Sequence, residues 1–498
     1  MTYKNDVLRS GSNTTETVLT PTNVTAATFG LLLNLSVDGK VDAQPLYLSQ
    51  LTVAGASHNV VFVATENDSA YAFDANSGAV LWKVSLLGSG ETPSDNRGCD
   101  QVTPQIGVTA TPVIDRSAGA HGTLFVVAMT KDSSGNYHQR LHALDVTTGV
   151  EATGSPMEIT ASYSGTTFVP GVYEERAALL LLNGTIYTSW TSHCDSAPYG
   201  GWVIAYAESS LAQTGVINLA PGAAGTGGFA GSGPAIWMAG GGPAADAAGN
   251  VYILMANGVF DTTLSASGFP TLGDYGNSFV KLAVSAGPPT VADYFALDNG
   301  LAESANDQDL GSGGIMLLPD LTDSSGTVRH LAVGAGKDGN LYVVNRDSMG
   351  KFSASANNIW QELDGALPNG VWSTPAYFNN VVYYGPVNGP LRAFSISNAQ
   401  LSSAAVAQTT TSFGFPGTLP VISANGTANG IVWAYDNVTP AVLHAYNATN
   451  LTELYNSTQA ANNRDSFGAG NKFIAPTVAD GKVFVATTNS VAVFGVLP

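Results

Sequence analysis

The stretch "VFVATENDSAYAFDANSGAVLWKVSL", residues 61–86, decides the fold. An apolar strand runs into a polar turn, a second strand ends at Asp74, and Asn76-Ser77-Gly78 turns the chain back into a third strand that carries Trp82. In an Asp-x-x-x-Gly turn the carboxylate accepts backbone hydrogen bonds while glycine supplies the left-handed corner. The indole that follows is large enough to cover a neighbouring unit. The same order of parts returns in "LFVVAMTKDSSGNYHQRLHALDVTTGV" (124–150), and looser copies begin near residues 186, 251, 341, 381, 431 and 483, which makes eight units.

Strand-turn-strand units at intervals of roughly 40 to 90 residues, with no amphipathic helix between them, predict an all-β chain. The architecture expected is a single β-propeller of eight blades, with seven as the alternative. The missing helices exclude a parallel βαβ sheet. "AQPLYLSQL" (43–51) and the last stretch, 476–498, are expected to share one blade. Such pairing of N- and C-terminal strands removes a sheet edge. Residues 1–42 read as an extension packing on the propeller, and 43–498 as the propeller itself.

Composition agrees: of 498 residues 56 are Gly, 19 Tyr and 19 Phe, and only 11% are charged, which suits a turn-rich β protein. With 18 basic against 37 acidic residues the net charge is -19, which argues against nucleic acid and anionic membrane surfaces as partners. No apolar run of about 18 residues is present, so membrane insertion is not expected. The opening "MTYKNDVLRSGSN" shows neither a basic nor an apolar leader region, while ten Asn-x-Ser/Thr sequons suit a secreted, extracellular or periplasmic, glycoprotein. A monomer is expected. Cys99 and Cys194 form no Cys-x-x-Cys pair and cannot build a Cys-rich zinc site. Both fall in loops after strands of neighbouring units, where a structural disulfide is favoured over redox work. On the chain-entropy account a loop this long gains about 4 to 5 kcal/mol.

Hairpins of the form Ala-Tyr/Leu-x-Asp-x-x-x-Gly with a following Trp resemble the propeller of the pyrroloquinoline quinone (PQQ) dependent alcohol dehydrogenases, and the resemblance spans most of the chain from "LTPTNVTAATFG" (19–30) onward. In "SHCDSAPYGGWVIAY" the resemblance points to Asp195, one residue out of register, as a calcium ligand. In "VYILMANGVFD" it points to Asn257 as a second ligand. "ANDQDLGSGGIMLL" places Asp309 where the family has its catalytic base, and "GKDGNLYVVNR" places Lys337 where the family has an Arg that contacts the quinone. The implied cofactors are PQQ and calcium, with Asp195, Asn257 and Asp309 on the metal. Calcium prefers such hard oxygen donors. In this scheme Asp309 removes a hydroxyl proton, and Lys337 stabilises charge on the quinone oxygen.

The sequence also departs from that pattern. The family holds its quinone between a Trp and a disulfide of two adjacent cysteines; Cys99 stands alone in the corresponding region, and Gly240 falls at the Trp position with Trp237 three residues upstream. No Cys-x-x-Cys-His heme motif is present. His193, beside Cys194 and Asp195, offers a further acid or base, and Tyr199, Trp202, Trp237 and Trp372 would suit stacking on pyranose rings. Asp, Asn and Lys also serve as turn residues at blade ends. Two function classes follow: a secreted quinoprotein oxidoreductase acting on a small-molecule alcohol or sugar, and a cofactor-free propeller that binds or cleaves a glycan. A non-catalytic binding scaffold is the third.

Overall fold

The computed structural model describes residues 1–195, 199–223, 233–285 and 287–498. Residues 196–198 of the loop after Asp195, and 231–232 of the glycine-rich tract before Trp237, lie outside that set. The chain is an eight-bladed β-propeller of antiparallel sheets. Among the described residues the one α-helix is Gly300–Ala305, and no helix is long and apolar enough to cross a membrane.

The first blade shows how sequence makes the unit. Its strands are Leu46–Val53, Ala56–Ala64, Ser69–Asp74 and Val80–Ser85, paired in order. Val60 to Ala64 and all of Ser69–Asp74 are buried, because middle strands lie between adjacent blades and are covered on both faces. The outer strand alternates, with Trp82 turned inward. Asp74 Oδ1 accepts from the Asn76 and Ser77 amides at 2.9 and 2.7 Å, and Gly78 takes φ +76°. Trp82 Nε1 donates to the Val146 carbonyl at 2.9 Å, and a Cβ on Gly149 would lie 2.8 Å from the indole. The Trp of the first blade and the turn Gly of the second therefore lock together.

Ring closure differs in one respect from expectation. The strand that pairs with Ser490–Val496 is Phe29–Ser36, in register from Phe29 opposite Val496 to Ser36 opposite Ser490. The "AQPLYLSQL" stretch instead forms Leu46–Val53 and opens the first blade against Ala56–Ala64. Both stretches are apolar strands; the last blade takes the one whose alternate side chains, Phe29 and Leu35, enter its core beside Phe494. Part of residues 1–42 thus belongs to a blade.

The innermost strands are Leu46–Val53, Val113–Asp115, Leu180–Leu182, Ala244–Ala245, Met316–Leu317, Ala376–Phe378, Val421–Asn425 and Thr477–Ala479. Residues 1–13 run along them and fill one end of the central channel. Amides of Ile114, Ala245, Leu317, Tyr377 and Ile422 donate to the carbonyls of Met1, Val7, Leu8, Ser10 and Gly11, at 2.7 to 2.9 Å. Lys4, Arg9 and Asn13 bond at Gln44, Leu179 and Val478, so every blade is touched. Edge amides of the inner strands are thereby satisfied.

Candidate active site

At the opposite end of the channel lies a cavity of about 210 Å³. Its walls come from segments that lead into the innermost strands. Arg176, Ser312, Trp372 and Phe473 each stand four residues ahead of Leu180, Met316, Ala376 and Thr477, where those strands begin. Equivalent positions in four of the blades therefore point at one space.

Six residues singled out in the sequence line it together: Asp195, Trp237, Asn257, Asp309, Lys337 and Trp372. Lys337 Nζ lies 2.5 Å from Asp309 Oδ2 and 2.9 Å from Asp307 Oδ1. The Asn257 amide nitrogen donates to Asp309 Oδ1 at 2.7 Å, and its side chain donates to Asp307 Oδ1 at 3.0 Å. A close blade contact sets this geometry: Lys337 N donates to the Asp309 carbonyl at 2.9 Å, and a Cβ on Gly336 would meet that oxygen at 2.2 Å. Burial pushes the Asp309 carboxyl upward, against the lowering effect of Lys337 and the Asn257 amide, and the net shift is up. Burial acts to lower Lys337, but Asp309 and Asp307 outweigh it and hold the ammonium charged. Asp195 Oδ1 accepts from Tyr199 at 3.1 Å and from Ser192 at 3.3 Å.

Cys99 and Cys194 form the expected disulfide, with Cα atoms 6.2 Å apart. Its sulfurs are not part of the lining; it ties Gln101 and Val102 to Asp195 at the rim. His193 sits behind that rim rather than in the cavity wall. Its Nδ1 lies 3.1 Å from Glu174 Oε2 and its Nε2 2.8 Å from the Asn96 carbonyl. Burial acts to lower its pKa, but Glu174 and Asn96 outweigh this and the net shift is upward. Among the described residues, Cys99, His193 and Cys194 are the one trio of His, Cys, Asp or Glu close enough to share an ion, and the disulfide occupies both thiols. Trp202 packs in the core against Phe168.

Lining residues that escaped the sequence reading include Arg176, Phe415, Lys472 and Phe473, and Asp307, a further partner of Lys337. Arg176 is 2% exposed, and its guanidinium stacks 4.6 Å over Phe473. Aligning the chain on the starts of the innermost strands would have found Arg176 and Phe473.

No protein-family profile matches the chain, and no curated protein does. Solved structures do. A quinohemoprotein alcohol dehydrogenase from Comamonas testosteroni matches with TM-score 0.61 and 15% identity over 99% of this chain and 80% of its own. One from Pseudomonas putida gives 0.60, 15%, 99% and 80%. A europium-containing methanol dehydrogenase gives 0.64 and 13%, over 99% and 98%. The chain shares its fold with these dehydrogenases.

Asp195, Asn257, Asp307 and Asp309 bring hard oxygen donors of the kind calcium prefers to the cavity, and the Lys337 ammonium already lies against the Asp307 and Asp309 carboxylates. Trp237, Trp372, Phe415 and Phe473 offer aromatic walls for a flat ring. The cavity is smaller than the ~300 Å³ at the low end of pockets for drug-sized ligands.

Proposed function

We propose that the cavity is the active site of a secreted oxidoreductase that uses PQQ and a hard divalent cation such as calcium to oxidise a hydroxyl group on a small molecule. The observation that carries this reading is the Asp309–Lys337 pair, buried on the cavity wall beside Asn257 and Asp307. When bound, the quinone supplies an acceptor for hydride and the cation polarises its carbonyl. The chain's own residues do the rest. Asp309, raised above the ordinary carboxylate range by burial, takes up the hydroxyl proton. Lys337, held charged, stabilises developing negative charge. Asp195, Asn257 and Asp309 would hold the cation. The disulfide and the exposed sequons at Asn34, Asn183, Asn425 and Asn450 support a location outside the reducing cytosol.

Calorimetric titration of PQQ into the protein, with and without calcium, tests the reading. Metal-dependent binding that weakens at least about tenfold in Asp309→Ala is expected, the size of one lost charge-assisted contact. No binding at micromolar PQQ refutes it.

The volume of about 210 Å³ favours a second reading, in which a sugar ring takes the cavity without a cofactor, stacked on the aromatic walls with Asp309 as its acid or base. Binding of monosaccharides without PQQ would select it.

A further inference from the structure

The wall made by Arg176 and Lys472 plays no part in the chemistry above, and it is electrostatically unfinished. Nε and Nη1 of Arg176 are buried with no hydrogen-bond partner. Its nearest carboxylate, Asp42, lies 3.5 Å from Nη1 and is shared with Lys40 at 3.0 Å. Lys40 and Arg176 outweigh burial and hold the Asp42 carboxyl below the ordinary carboxylate range, whereas burial and Asp42 push Glu66 up. Glu174 is engaged by His193. Lys472 makes no ion pair among the described residues; its ammonium rests 5.7 Å over Phe473. Lys40, Arg176 and Lys472 therefore gather around Asp42, with Glu174 committed to His193 and Asp195 lining the same cavity. In a chain of net charge -19, a cavity wall with surplus positive charge is an exception that asks for an anion.

We propose that Arg176 and Lys472 form a subsite for a carboxylate, so that the ligand of this cavity is an acid, its carboxylate on this wall and its hydroxyl-bearing part toward Asp309 and Lys337. A buried guanidinium whose Nε–H lacks a partner attracts a carboxylate, and a compact ammonium adds charge from a second direction. The placement rests on the cavity being the active site. The carboxylate belongs either to a hydroxy acid substrate, such as a sugar acid, or to the carboxylated quinone itself.

Calorimetry with D-glucuronate, D-glucose and PQQ, on the wild type, Lys472→Gln, Arg176→Lys and Asp309→Ala, separates the cases. Glucuronate is expected to bind about tenfold or more tighter than glucose, and that preference to shrink in Lys472→Gln and Arg176→Lys. If glucuronate fails but PQQ binds and is weakened by the same two substitutions, the subsite stands and holds the quinone. If glucuronate discriminates while PQQ fails, the quinone reading falls and the subsite stands. Equal affinity for glucuronate and glucose with PQQ indifferent to both substitutions overturns it, as does failure of all three ligands. Should Arg176→Lys not fold, Lys472→Gln decides alone, because that side chain holds no hydrogen bond or ion pair among the described residues.

Discussion

Arg9, in the segment that fills the channel, and Arg176, in the cavity wall, are almost equally buried, at 1% and 2% exposure. Arg9 donates to the Pro243, Tyr3 and Leu179 carbonyls and to the Thr2 hydroxyl, at 2.7 to 3.2 Å. Arg176 leaves Nε and Nη1 unpaired. One end of the propeller is thus closed by a segment whose polar groups find partners, and the other is left open with donors in excess. A buried, unpartnered donor costs stability, which a protein keeps where a ligand can supply the partner. The contrast separates a structural end from a functional one.

The sharpest way to break the contrast is at the closed end. Arg9→Ala strips charged donors from the Leu179 and Pro243 carbonyls, which join residues 1–13 to the third and fourth blades, and from the Tyr3 carbonyl within the segment. We expect a loss of about 4 kcal/mol, read as a lower urea midpoint, with Arg9→Lys recovering part of it. A loss below about 1 kcal/mol would mean that the segment merely lies in the channel.

Removing the disulfide tests whether the open end is separately stabilised. The bridge spans 95 residues, and measured losses usually fall short of the chain-entropy figure, so Cys99→Ser with Cys194→Ser should cost about 3 kcal/mol. Hydrogen exchange should quicken at Gln101, Val102 and Trp190 while Ala245 and Leu317, bonded to residues 1–13, stay protected. Uniform deprotection would show the two ends to be one cooperative unit.

Much of this was legible in the sequence, because a propeller is a sum of local hairpins. Asp74, Gly78 and Trp82 carry their own turn, and Asp145 and Gly149 repeat it, so the unit and its count follow from short-range patterns. Asp309, Asn257 and Lys337 were legible for the same reason, each within one recognisable segment. What escaped depends on distant pairing. Phe29–Ser36 and Leu46–Val53 are both plausible last strands, and strand periodicity alone does not say which partner each takes. "MTYKNDVLRSGSN" has no periodicity at all; its path is set by amides on inner strands hundreds of residues away. Arg176, in "EERAALLLL", reads as the polar flank of an apolar strand, and only the ring brings it beside Lys472.

The smallest effect has the opposite sign. Burial, with Arg176 and Lys40 adding, lowers Lys472 to about 8, while Asp42 and Glu174 act the other way. A base whose folded pKa lies below its unfolded value destabilises the fold fully below pH 8. That penalty is relieved between about pH 8 and 10.5, where the unfolded chain still binds the proton. Lys472→Gln should therefore stabilise the protein at pH 7, by roughly 1 kcal/mol once solvent screening of a partly exposed group is allowed for. The gain should fade toward pH 10.5, as urea unfolding at the two pH values would reveal. Saturating glucuronate should erase the gain at pH 7 as well, because the bound carboxylate raises the lysine's pKa and stabilises only the wild type. A variant that is more stable and binds acids less well would tie the unpaired charge at the open end to ligand recognition; a destabilised one would make Lys472 a structural residue like Arg9.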